Sequence, residues 1–288
     1  MEFFLNILVM SGIFAILCLS LNLIMGYGGM FHLGHGAFFA VGASVAALIS
    51  IHLGWPFLAE MLAAALVTTL FGLIISYPSI RLKGDYLSFM TFGFAVVIYA
   101  VVNNWSDVTG GPVGLPNIPA PDLFGLKIKG DLAHLALVMV SLMITWFIIR
   151  RIVQAPYGRT IESMREDEVA ATASGRNVNT LRITVFCVGA FFAGIAGVLY
   201  VHYIGIADPT GFTTTVSFTI VSMTLIGGAG SLSGPIAGAF LIVIIPDVLR
   251  WIGLPGLYAE QLKNIAFSVV LIIIMMSRPQ GLLGKLKF

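Results

Sequence analysis

Long apolar runs, parted by short polar or glycine-rich stretches, recur along the whole of this 288-residue chain. A bilayer core about 30 Å thick needs roughly 20 apolar residues per helix. That ruler predicts nine spans, near residues 3–25, 36–53, 57–77, 86–103, 132–150, 182–203, 213–229, 234–250 and 262–277. The expected fold is an all-α, polytopic membrane helix bundle, with residues 1–288 forming one transmembrane domain. Spans seven and eight are short and glycine-interrupted, which predicts broken or re-entrant helices. One stretch departs from the pattern: residues 150–182 carry six of the fifteen Lys/Arg and four of the thirteen Asp/Glu. Within this polar island Pro156 suits a first helical turn, Ile161 and Met164 share a face, and Gly175 suits a helix end.

Composition agrees. The chain is 58% hydrophobic and 10% charged, with a mean hydropathy of +1.00, whereas soluble domains carry about 25% charged residues. The net charge of +2 does not indicate a nucleic-acid partner, because the basic residues sit mostly in short loops, where they set membrane orientation. Arg81 and Lys83, the island, and Arg278, Lys285 and Lys287 fall on one side of the nine-span scheme. The basic-free start and the loop around Asp208 fall on the other, predicting an outside N-terminus and an inside C-terminus. Lys127, Lys129, Arg250 and Lys263 are outer exceptions, accompanied by Asp122, Asp131, Asp247 and Glu260. The first apolar run lacks a basic n-region and a small-residue cleavage site, so it reads as a retained span. Cys18 and Cys187 lie inside apolar runs and read as small buried hydrophobes.

Two loops and two breaks stand out. The island loop, 151–181, is cytoplasmic in this scheme; the outer loop, 104–131, carries TGGPVGLPNIPAPD and reads as a turn-rich docking surface or a connector. MGYGGMFHLGHGAFFAVGAS at 25–44 and LIGGAGSLSGPIAGAF at 225–240 each interrupt a helix with glycines, then resume with small residues four apart. Gly36, Ala40 and Ser44 form one ladder, and Gly230, Gly234 and Gly238 the other. Such rows permit close helix packing, and paired interruptions in two halves point to a translocation path. Gly26, Gly28, Gly29, Gly227 and Gly228 are the candidate path residues, the alternative being packing alone.

Enzyme chemistry is poorly supported. HLGH, with His32 and His35, is not a metal-binding signature and has no acidic or Cys cluster behind it, so the pair reads as hydrogen-bonding histidines in a helix break. No GxSxG and no GxxxxGK[ST] occurs, so neither a serine hydrolase nor a nucleotide-binding reading holds, and no cofactor is expected. If ATP drives this chain, another subunit binds it. An ion-coupled carrier and a non-transporting scaffold stay open on these grounds; the first leaves the island unexplained.

REDEVAATASG at 165–175 resembles the cytoplasmic loop of ABC-transporter permeases: Ala170, Ala171 and Gly175 match that pattern. Val169 stands where the pattern has an acid, Glu168 lies one residue earlier, and the Ile-x-Leu-Pro tail is absent. LSLNLIMGYGGMFHLGHGAFFAVGA, YLSFMTFGFAVVIYAVVNNWSDVTGGPVGL and PYGRTIESMREDEVAATASGRNVNTLRITVF resemble successive blocks of branched-chain amino acid permeases of the LivM type. The resemblance implies a permease subunit in the plasma (inner) membrane of a prokaryote. Its partners would be two ATP-binding subunits, a second permease subunit, an extracytoplasmic substrate-binding protein and the membrane lipid. It implies transport of branched-chain amino acids, with urea or other small amides as the sister alternative. It also implies that the island seats on the ATPase. Glu162, Arg165, Glu166, Asp167 and Glu168 would then set orientation, while Ala170, Ala171 and Gly175 would allow close approach.

Overall fold

A computed structural model describes residues 2–123, 126–251, 268–269, 272–273, 276 and 280–284. The expected ninth span, 262–277, lies largely outside the described residues, as do Glu260, Lys263, Arg278, Lys285 and Lys287, and the side chains of Asp247 and Arg250. Helices occupy the other eight predicted stretches. The long ones are α1 (Glu2–Asn22), extended by a π-helical turn at Leu23–Tyr27, α2 (His35–His52), α3 (Phe57–Ser79) and α4 (Asp85–Asn104). After the single turn α5 (Ser106–Thr109) comes α6 (Asp131–Gln154), and α7 (Pro156–Glu166) and α8 (Glu168–Ala173) build the polar island. The chain continues through α9 (Val178–Ile204), α10 (Thr214–Gly227) and α11 (Gly234–Trp251).

Six of these helices are long and apolar enough to cross a membrane: α1 with its π turn, α2, α3, α4, α6 and α9. Helix α10 has only 14 residues, and at 1.5 Å per residue it reaches about 21 Å, short of the hydrocarbon core.

Because lipid tails are as apolar as leucine, helices here gain little by hiding leucine from solvent; they associate where small residues let backbones meet. Helices α1, α2 and α9 occupy the centre, with 78%, 72% and 67% of their most apolar windows buried, against 33% for α3, α4 and α6, whose remaining faces are left for lipid or a partner. Close approach between α2 and α9 is direct: a Cβ on Gly42 would stand 2.5 Å from the Gly194 Cα. Gly36 lies against α10, its amide donating to the Ser217 hydroxyl at 3.0 Å. In the first predicted ladder Gly36 is close-packed against α10, and in the second a Cβ on Gly238 would strike the Met223 carbonyl of α10.

The two ends of the bundle differ. At one end, Leu115–Pro116 (β1) of the long loop pairs antiparallel with Ile206–Ala207 (β4), while Asp122–Leu123 (β2) pairs with Leu126–Lys127 (β3). His202 Nε2 lies 2.6 Å from Glu60 Oε1, both side chains buried, and its Nδ1 lies 2.9 Å from the Pro119 carbonyl. This pins the loop to α3 and α9, so it is a structured cap. At the other end, α7 and α8 form a polar wedge against the adjoining helix ends, with Arg165 bonded to the Gly26 carbonyl.

Candidate functional site

The wedge begins where α6 stops. Arg150 and Arg151 lie over the rings of Trp146 and Phe147 at 4.8 and 5.1 Å, and Pro156 starts α7 immediately after an extended Ala155. Helix α7 buries Gly158, Ile161 and Met164 on one face, as their spacing predicts, and leaves Arg159 and Glu166 exposed. Asp167 then breaks the helix and caps the next: its Oδ1 accepts from the Val169 and Ala170 amides at 2.9 and 3.0 Å. Helix α8 ends at Gly175, whose φ of +77° disfavours a side chain. The Arg176 amide donates back to the Ala171 carbonyl at 3.1 Å.

The expected ATPase-facing residues separate into distinct roles. Ala171 is 4% exposed and turned into the chain's own core, so its small size serves internal packing. Ala170 and Gly175 are exposed, but nothing lies within 4 Å of a Cβ on Gly175, so within this chain it provides a helix end and no close approach. Glu168 faces inward: its carboxylate sits 3.0 Å from Arg182 and 2.6 Å from Lys83. Arg182 also donates to the Ile80 carbonyl at 2.9 Å, which locks α8 to the end of α3 and the start of α9. Glu166 is exposed, with Arg165 at 3.5 Å, and Glu162 is half-buried. Val169, noted in the sequence only as a mismatch, is an apolar side chain 76% exposed on α8. A cleft of about 460 Å³ opens between α7 and α8, lined by Arg159, Ser163, Glu166, Asp167, Ala170 and Arg176 among others.

On its other side the wedge meets the first broken segment. The Arg165 guanidinium donates to the Gly26 carbonyl at 3.1 Å, and its aliphatic stem covers Gly29, where no Cβ would fit. Gly26 is packed as tightly: a Cβ there would strike the Asn22 side chain and the Gly230 amide. The two breaks therefore touch. The Asn22 Oδ1 accepts from the Gly230 amide at 2.8 Å, and its Nδ2 donates to the Ser231 carbonyl at 2.8 Å. Behind them the Leu282 and Leu283 amides donate to the Ile226 and Gly227 carbonyls, each at 2.9 Å, and Gly284 lies against Gly228. Of the five candidate path glycines, Gly26, Gly28, Gly227 and Gly228 are buried and Gly29 is exposed.

Asn22 was missed by sequence reasoning, although a lone amide beside a glycine break in a long apolar run is a readable signal. The histidines split: His35 Nε2 is 2.7 Å from the Ser20 hydroxyl. His32 stacks on Phe38 at 5.4 Å, and among the described residues its ring nitrogens have no hydrogen-bond partner.

Residues 3–276 match the family described as branched-chain amino acid transport system / permease component. LivM of Salmonella typhimurium, a high-affinity branched-chain amino acid transport system permease protein, is 32% identical over 96% of this chain and 69% of its own length. The ribose import permease RbsC of Haemophilus influenzae is 25% identical over 93% of this chain and 83% of its own. LivH of Escherichia coli, also a branched-chain amino acid permease, is 23% identical over 97% and 94%. No solved structure matches this chain. With the match running through nearly all of the helical body and the whole wedge, this chain belongs to the family of branched-chain amino acid transport system permease components.

Proposed function

We propose that this chain is the membrane-spanning permease subunit of an ATP-driven importer of branched-chain amino acids in the plasma membrane of a prokaryote. It works with a second permease subunit, two ATP-binding subunits and an extracytoplasmic binding protein. The observation that carries this reading is the wedge itself. A polar two-helix element projects from an apolar body, with Val169 and the cleft facing away and Arg165 holding the first broken segment. Such an element suits a partner that moves it. No bond chemistry is asked of the chain; what it supplies is a path whose breaks can rearrange when the wedge is displaced. The island face is the cytoplasmic one, and the nine-span count gains support from residues 282 and 283, which lie beside the inner end of α10. The path follows Gly26, Gly28, Gly29, Gly227 and Gly228, closed in this conformation.

Ala170 offers a clean test, since it is exposed in the cleft and makes no inward packing. Ala170→Arg is expected to abolish co-purification with the ATP-binding partner and ATP-driven leucine uptake, with the permease still inserted at normal levels. Normal co-purification and uptake would refute the docking role. Running leucine, isoleucine, valine and ribose in parallel separates the amino-acid reading from that of the ribose-permease relative.

A further inference from the structure

The wedge and both broken segments are joined by one polar linkage that crosses the sequence twice. Arg165 reaches the Gly26 carbonyl 139 residues away, and Asn22, one helical turn before Gly26, reaches Gly230 and Ser231 over 208 and 209 residues. Asn22 is completely buried, and the two bonds use both ends of its amide. Of the acidic groups expected to mark an ATPase contact, Glu168 is engaged with Lys83 and Arg182, Asp167 caps a helix, Glu166 is exposed beside Arg165, and Glu162 is half-buried on α7. Arg165 is the charged side chain of the wedge that hydrogen-bonds to the backbone of the first break. On both sides of the linkage the backbone is irregular: residues 28–34 and 228–233 lie outside any helix. Short irregular segments move at lower cost than helices, whose ladders resist bending.

We propose that Asn22 is a positioning residue for transport, which together with Arg165 transmits displacement of the wedge to both broken segments at once. This rests on the permease reading and assigns its mechanical link. Pulling Arg165 draws the Gly26 carbonyl; because the Asn22 side chain is packed against Gly26 and bonded to the second break, residues 228–233 follow. Arg165 therefore acts inward, on its own chain, in addition to any contact of the wedge with a partner.

The test uses the complete transporter reconstituted in liposomes. Asn22→Leu keeps the branched shape of the side chain and removes both hydrogen bonds. The expected outcome is a complex that still co-purifies with its ATP-binding subunits and hydrolyses ATP, with leucine uptake reduced at least tenfold. Arg165→Met lowers uptake similarly, the double variant is no worse than either single because both cut one linkage, and Arg165→Lys, which keeps a cationic donor, recovers part of the loss. A readout independent of leucine is alkylation of Ser233→Cys in a Cys187→Ser background, since Ser233 is exposed in the second break. ATP with vanadate changes that rate in the parent and leaves it unchanged in Asn22→Leu. Uptake within twofold of the parent, additive losses in the double variant, or a preserved ATP-dependent alkylation change overturns the linkage. A parent that shows the alkylation change yet carries no leucine fails the substrate reading and leaves the linkage standing. If Asn22→Leu does not assemble, the Arg165→Met and Arg165→Lys pair, read by the same alkylation, decides.

Discussion

Glu168 shows how a residue can sit in a recognisable motif and yet work for the fold. Its carboxylate neutralises Arg182, whose side chain is 8% exposed, and Lys83, which is 65% exposed. Removing a partner from a largely buried guanidinium leaves charge with only carbonyl acceptors, here Ser79 and Ile80, whereas removing an exposed lysine costs little. Glu168→Ala should therefore lower stability by about 1–3 kcal/mol, the cost of leaving a buried polar group underpaired. Lys83→Ala should cost less than about 1 kcal/mol, as surface pairs do. Thermal unfolding in detergent checks both; equal shifts would mean the carboxylate serves Lys83 as much as Arg182. The acidic character of position 168 was legible in the sequence, but its partners were not. Arg182 and Lys83 lie in separate elements, and nothing local says that α3, α8 and α9 converge.

Among the elements, what could be read was whatever local periodicity and composition determine. Apolar length placed eight helices, glycine clusters placed both breaks, and Pro156, Ile161, Met164 and Gly175 placed the ends and inner face of the wedge. Contact between the breaks was not readable, because it joins segments 208 residues apart through the Asn22 amide and the close approach of Gly26 to Gly230, both set by packing of α1 against α11 and α10. Helix α8 yields a prediction at this scale. Gly175 has open space around it and a left-handed backbone, so its demand is conformational. Asn tolerates that conformation and β-branched residues do not. Gly175→Asn should retain co-purification with the ATP-binding subunit and most leucine uptake, while Gly175→Val should lose both by unwinding the end of α8. Loss with Asn as well would show that the position touches the partner directly and that its small size matters there.

For the whole molecule the decisive quantity is the side of the membrane on which each end of the bundle lies. The wedge end carries Arg150, Arg151, Arg159, Arg165, Arg176 and Arg182, and Lys83 joins it through Glu168. The opposite end carries the β1–β4 cap and the Glu60–His202 pair. Basic residues are retained on the cytoplasmic side during insertion, so the wedge should be inside and the cap outside. Single cysteines report this directly, because Cys18 is buried and Cys187 can be replaced by serine. Val113→Cys, on the exposed cap, should react with a membrane-impermeant maleimide in intact cells. Ser174→Cys, exposed on the wedge, should react only after the membrane is opened. Leu283→Cys should behave as Ser174→Cys does, since the Leu283 amide bonds Gly227 at the wedge-side end of α10. That shared behaviour requires an odd number of crossings between an outside N-terminus and residue 283, as nine spans provide. Labelling of Leu283→Cys from outside, with Ser174→Cys protected, would break the scheme at the last span while leaving the wedge in place.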